Sequence, residues 1–268
     1  MIIVTQLNPD LDACMGVWLL RRFGGHKDAK LRFVSTGDKI SDVRDQEFLY
    51  VDTSGGKYDH HHDDRFVCAA SLILEDLRLQ ADEALNEMVR FALYVDHGLL
   101  MGRDLGQFNL VHIIQGLNRS FPDNPWKVVE IAESVLDGLY EYTKEFLEAK
   151  RELEKGTRFD TNWGSGLGVE TANKQVRYLA YENGHKVFVF VDPKRGFRGY
   201  QAPGFSGIDF SDLFQKIKQR EPDADWFLHS SKELLLCGSA KAPNKRLSRL
   251  SLRELIELIA EPELPLMD

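Results

Sequence analysis

The chain opens on an uninterrupted apolar run at residues 2–5 (IIVT), the pattern of a buried strand. After the turn at Pro9 comes DACMGVWLLRRF, in which Val17, Leu20 and Phe23 fall at helical spacing before Gly24-Gly25 stops the run. LRFVS at 31–35 and FLYVD at 48–52 read as strands, the second ending in the glycine-rich TSGG. Strand, helix, strand, strand with short loops predicts an α/β layer with a mostly parallel sheet. Residues 66–79 and 82–95 predict two helices. The most regular element begins at Asn124-Pro125, a good N-cap followed by a residue tolerated at the first helical position. Val128, Ile131, Val135, Leu139, Phe146 and Leu153 run down one side of it, and Gly156 closes it. About thirty residues at roughly 1.5 Å each span on the order of 45 Å, enough to leave one domain and reach another.

The stretch GTRFDTNWGSGLG has many glycines and no periodicity, and predicts a linker over 157–169. Beyond it, QVRYLAY and KVFVFVD around an Asn-Gly pair predict a hairpin. DFSDLFQKIKQR predicts a helix capped by Asp209 or Ser211, DWFLHS and ELLLCG predict strands, and SLRELIELIA predicts a last helix with a Ser251/Glu254 capping box. The expected organisation is an α/β domain over 1–156, ending in the long helix 125–155, then the linker, then a smaller α+β domain over 170–268.

Composition narrows the class. With 43% hydrophobic and 28% charged residues, the chain is that of a soluble globular protein able to build a core without disulfides or a structural metal. The three cysteines, Cys14, Cys68 and Cys237, are odd in number, widely spaced and outside any CxxC. They read as reduced thiols in a cytoplasmic protein. The first residues lack the basic and apolar regions of a leader, and no apolar run reaches membrane-spanning length. The net charge of −8 falls on the first domain, the second being near neutral with a basic segment from Lys241 to Arg253. Non-specific nucleic-acid binding through a broad basic surface is excluded, while a local phosphate site is not.

The chemistry gathers in the acidic half. Asp10 and Asp12 lie two apart in the turn after the first strand, where ligands gather in open α/β sheets. Each is also an ordinary turn or N-cap residue. Asp52 ends a strand beside a glycine turn. Tyr58-Asp59-His60-His61-His62-Asp63-Asp64 packs three histidines among four aspartates, a donor set suited to Mn²⁺, Fe²⁺, Co²⁺ or Zn²⁺. Asp96-His97 ends an apolar run.

Together these pieces resemble the DHH phosphoesterase superfamily. Its motifs correspond to Gln6, Asp10 and Asp12, then Asp52, then Asp59-His60-His61, then Asp96. VDTSGGKYDHHH, and HIIQGLN followed by NPW, are most similar to the melanocyte-proliferating-gene branch, whose members are 3′–5′ RNA exonucleases. The likeness covers about residues 2–155. It implies a DHH-type catalytic domain holding two divalent ions, Mn²⁺ first, with Mg²⁺, Co²⁺ or Zn²⁺ as alternatives. In that scheme Asp52 bridges, Gln6 and Asp10 hold one ion, and Asp12, His61 and Asp96 hold the other. His60 sits by the first ion or the substrate phosphate, and Asp52, His60 and His61 are the catalytic group. Gln6 stands where the superfamily carries histidine. A carboxamide is a weaker ligand than imidazole, so the first metal position is expected to be weak, filled only with substrate, or altered in metal preference.

The smaller domain is expected to grip the substrate through Arg195, Arg198, His229, Ser239 and Lys241, with Arg119 as a phosphate clamp near the hinge. Three function classes stay open: an exonuclease-like phosphodiesterase for short oligonucleotides or nucleotides, a hydrolase of a small phosphate ester or pyrophosphate, and a non-catalytic metal or nucleotide binder. No membrane or protein partner is expected, and a homodimer is left open.

Overall fold

The computed structural model describes residues 1–40, 47–103, 106–241 and 245–260. The chain divides into two compact units, Met1–Lys144 and Glu145–Asp268.

Unit 1 is built on a three-stranded sheet. β1 (Ile2–Gln6) lies between β2 (Lys30–Val34) and β3 (Phe48–Tyr50), and both pairings are parallel. α1 (Leu11–Arg22) follows β1, and its residues from Leu11 to Leu20 are all buried. Asp10 caps it, accepting a hydrogen bond from Ala13 N at 3.0 Å, while Arg21 and Arg22 in the last turn complement the helix dipole. α2 (Ala69–Asp76) and α3 (Glu83–Asp96) pack on α1. α4 (Leu110–Ser120), which periodicity left unassigned, begins at the Asn109 cap. The long α5 (Pro125–Glu154) contributes its first twenty residues to this unit. It meets α1 through Trp18 Nε1–H donating to Asp137 at 2.8 Å and an Arg21–Glu133 ion pair at 2.9 Å.

Unit 2 is a six-stranded mixed sheet in the order β4-β5-β6-β7-β9-β8. Its strands are β4 (Thr157–Thr161), β5 (Gly164–Glu170), β6 (Val187–Val191), β7 (Arg198–Gln201), β8 (Trp226–Leu228) and β9 (Leu234–Cys237). Only β5–β6 is parallel. α6 (Gln175–Glu182), α7 (Ser211–Arg220) and α8 (Leu252–Ile259) complete it.

Two expectations are corrected here. The glycine-rich stretch expected as a linker forms the antiparallel β4–β5 pair. Gly166 is required there because a Cβ would lie 2.4 Å from the Phe159 ring, so the glycine serves strand packing instead of chain freedom. QVRYLAY is the helix α6 and not one arm of a hairpin. Val176, Leu179 and Ala180 are buried at helical spacing, and Gly184, at φ 87°, ends the helix with its N–H on Tyr181 O. β6 instead pairs with β5 in parallel. α7 starts at Ser211, whose N–H donates to Asp209 Oδ1 at 2.8 Å, and α8 carries the expected capping box. Of the basic segment, residues 242–244 lie outside the described residues. No helix among the described residues is long and apolar enough to cross a membrane.

Candidate metal centre

The site of unit 1 forms where β1 and β3 end. Asp52 follows β3, is 2% exposed, and takes a positive φ of 55°, a conformation uncommon for a non-glycine residue. Its N–H donates to Tyr58 O at 2.9 Å, which draws the 53–58 loop back against the strand end. Gly56 makes that return fit, since a Cβ would lie 2.3 Å from Tyr50 Cβ. Tyr58 is buried and anchored through its hydroxyl to Asp76 Oδ2 at 2.7 Å. The next residue, Asp59, folds the loop on itself by accepting the N–H groups of Gly55 at 2.6 Å and His61 at 3.1 Å and the His61 ring at 2.6 Å. Burial opposes its charge, yet these donors hold its carboxyl below the usual range.

That loop aims His60 inward. Its side chain is only 10% exposed, and Nε2 lies 3.2 Å from Asp52 Oδ1, 3.5 Å from Asp96 Oδ2 and 3.8 Å from Asp12 Oδ2. The 3.2 Å contact is an ion-pair approach without hydrogen-bond alignment, so His60 Nε2 and Asp52 Oδ1 are both buried without a hydrogen-bond partner. Buried polar atoms are almost always satisfied. An ion about 2.1 Å from each of two ligands sets those ligands roughly 3–3.5 Å apart, the spacing found here.

The other predicted ligands are differently engaged. Gln6 donates its amide N–H to Asp52 Oδ2 at 2.9 Å; a carboxylate only accepts, so the amide nitrogen faces it. Both oxygens of Asp12 accept the first N–H groups of α2, Ala69 at 2.7 Å and Ala70 at 2.9 Å. Asp10 spends one oxygen on the α1 cap. His61 is half-exposed, with Nδ1 held by Asp59 and 3.9 Å from Asp52 Oδ1. Asp52, His60 and His61 bring ligand atoms within 4.8 Å of one another, and His97, absent from the predicted set, joins His60 and Asp96 in a second such group while hydrogen-bonding Val67 O at 2.9 Å. Its only sequence signal was its place after Asp96.

The electrostatics suit a cation. Burial and the nearby Asp52 push Asp12 up to about 7. The protein packed around Asp10, together with Asp52, raises its pKa although the side chain still meets solvent in the cavity. Burial raises Asp96 as well. The Asp52 carboxylate, opposed by burial and aided by Asp96 and Asp12, raises His60 to about 9. Protons thus take the place a cation would fill.

A cavity of about 630 Å³ opens beside the cluster, lined by Asp10, Asp12, Asp96, Asn8, Gln115 and Arg119 among others. Arg119 thus lies on the wall of the same cavity as Asp10, Asp12 and Asp96. Four of the five predicted C-terminal substrate residues, Arg195, His229, Ser239 and Lys241, gather around a separate cavity of about 610 Å³ inside unit 2. Arg198 does not. Its guanidinium is turned into the fold, donating to Leu250 O at 2.6 Å and to Gly196 O, and that binding assignment is withdrawn.

The family model described as ChrB, C-terminal domain matches residues 3–143. The chain belongs to this family. The match ends beside the last residue of unit 1 and spans every motif on which the DHH resemblance rested. The DHH assignment is thereby overturned, including its exonuclease branch, and the roles carried over from it lose that support. The motif spacings that suggested it are short Asp and His runs at strand ends, which unrelated α/β proteins reach independently. Among curated proteins no match is found. A crystal structure of an uncharacterized protein from Helicobacter pylori G27 is similar over 96% of this chain and 97% of its own, at 14% identity and a TM-score of 0.33. That likeness is too slight to carry an argument. The ChrB-family site therefore stands on its own geometry.

Proposed function

We propose that unit 1 is a divalent-metal-dependent phosphoesterase that hydrolyses a small phosphate ester. The observation that carries this reading is the buried Asp52 Oδ1–His60 Nε2 pair, unpartnered and flanked by Asp96. Asp52, His60 and Asp96 would hold the ion, with His97 or Asp10 adjoining; carboxylate and imidazole donors suit Mn²⁺, Co²⁺ or Zn²⁺. When bound, a divalent ion supplies a Lewis acid for a phosphoryl oxygen. A second ion would compete with the Gln6 amide for Asp52 Oδ2 and with two backbone N–H groups for Asp12, which favours one ion over the two expected from the sequence.

The remaining roles follow from the side chains. Arg119 on the cavity wall would hold the ester's anionic charge. His61, half-exposed and held through Nδ1 by Asp59, can carry a proton to or from the reacting oxygen. Among the described residues Arg119 is the one cationic side chain lining the cavity, alongside the amides of Asn8, Gln115 and Asn118, which favours a small ester over a polyanionic oligonucleotide.

The test is hydrolysis of bis(p-nitrophenyl) phosphate, p-nitrophenyl phosphate, pyrophosphate and a short labelled RNA in Mn²⁺, Mg²⁺, Co²⁺ or Zn²⁺. Turnover of a small ester that EDTA abolishes is expected. Metal uptake with turnover of none of them would leave a metal-binding module and end the enzymatic reading.

A further inference from the structure

The sheet of unit 2 is covered unequally. One face, carrying Val187, Val189, Tyr200, Leu235 and Cys237, is packed by α7 and α8 into the main core. The opposite face carries Phe188 and Phe190 on β6, Gly199 and Gln201 on β7, and Leu234 and Leu236 on β9, aligned by the strand register. α6 covers Phe188 through Val176, Leu179 and Ala180. The cavity of about 610 Å³ lies over Phe190, Leu234 and Leu236. Gly199 keeps its floor flat, since a Cβ there would lie 2.6 Å from Leu236 and 2.8 Å from the Phe190 ring.

The rim is cationic. Lys174, Arg177, Arg195 and Lys241 all border the cavity, and among the described residues none of the four is paired with a carboxylate. Arg177 is nonetheless fixed, hydrogen-bonded to Gln201 and to the Tyr178 hydroxyl and stacked 4.5 Å from the Tyr178 ring. Among the described residues the one acid in the wall, Asp192, is buried and spends Oδ1 on the N–H groups of Lys194 and Arg195. His229 Nδ1 accepts from Ser231 N at 3.1 Å, which leaves its Nε2 as the protonated nitrogen and so a donor. Unpaired like charges around one cavity repel, and a bound anion relieves that repulsion. Pockets of this size, with an apolar floor and a few convergent polar groups, are the usual form of a small-molecule site.

We propose that this cavity binds a small phosphate ester that carries an aromatic ring, its ring against Phe190, Leu234 and Leu236 and its phosphate toward the cationic rim. Nucleoside monophosphates are the common biological compounds of that chemistry. Binding there is built from residues of unit 2 and needs no metal.

The test is calorimetric titration of the full chain in EDTA with AMP and UMP, against adenosine, inorganic phosphate and benzoate. A nucleotide is expected to bind at least about tenfold more tightly than adenosine, phosphate or benzoate, because ring and phosphate are both used. Arg195→Glu with Lys241→Glu is expected to weaken nucleotide binding at least about tenfold at an unchanged melting temperature, since neither side chain has a partner to lose. Absence of nucleotide binding at millimolar concentration overturns the proposal. So does binding unaffected by the double substitution, or phosphate or benzoate binding as tightly as AMP. Because the measurement is made without metal, its failure leaves the phosphoesterase reading untouched, and failure of that reading leaves this one.

Discussion

Asp52 concentrates the unusual features of the site in one residue: a left-handed backbone, near-complete burial, one oxygen held by Gln6 and one without a partner. Strain of this kind persists where surrounding contacts enforce it, here the Tyr58 carbonyl and the Gln6 amide. Removing its charge with Asp52→Asn should reduce Mn²⁺ affinity by at least about 100-fold, since it takes away a direct ligand. Gln6→Ala removes only the partner that orients the carboxylate and should cost roughly 10- to 100-fold, the usual range for an outer partner of a ligand. Titration calorimetry on both variants separates the roles, and equal losses would mean Gln6 ligates directly. His61→Ala should leave Mn²⁺ affinity within about threefold but lower kcat on any ester roughly 10²- to 10⁴-fold, the contribution typical of a positioned acid or base.

Among the elements, the loop between β3 and α2 decides where the imidazoles point. Its Gly56 is in contact with Tyr50, so Gly56→Ala should destabilise the chain by about 1–3 kcal/mol, the cost of forcing a methyl into a filled space. It should also weaken Mn²⁺ binding, because His60 follows four residues later. Thermal melts in EDTA and in Mn²⁺ check both effects, and an alanine variant with an unchanged melt and unchanged affinity would contradict the loop's positioning role. The same scale shows what the sequence made legible. β1 was readable as an uninterrupted apolar run, and α1 and α5 because helical periodicity ends at a glycine stop in each. Asp10, Asp12, Asp52, His60 and Asp96 were readable as one cluster because they sit at element ends. That Asp12 caps α2, that Gln6 faces Asp52 with its nitrogen, and that Arg198 turns inward all depend on partners up to 58 residues away, which spacing does not encode. The β4–β5 pair and α6 were misread for a different reason. Glycine and an Asn-Gly pair mark turns, but they do not say which element the turn joins.

For the whole molecule, the cluster makes metal-free stability depend on pH in a definite direction. Asp12 titrates near 7 when folded and near 3.8 as a model group, so the folded state holds a proton the unfolded chain has lost, and stability falls as pH rises from about 4 to 7. His60, raised to about 9 from 6.5, contributes stability that is full below about 6.5 and is lost as pH rises through about 9. The two act in the same sense. The melting temperature in EDTA should therefore decline from pH 6 to pH 9, and saturating Mn²⁺ should reduce that decline by replacing the bound protons as counter-charge. A metal-free melting temperature that rises across this range would show that the carboxylates repel less than their packing implies. The most direct test of the account is a count of the ions taken up by EDTA-treated, dialysed wild-type chain exposed to Mn²⁺, read by inductively coupled plasma mass spectrometry beside Asp52→Asn. The account predicts one Mn²⁺ per chain in the wild type and none retained in the variant. An equal count in the two, or no retention of Mn²⁺, Co²⁺ or Zn²⁺ by the wild type, would contradict it.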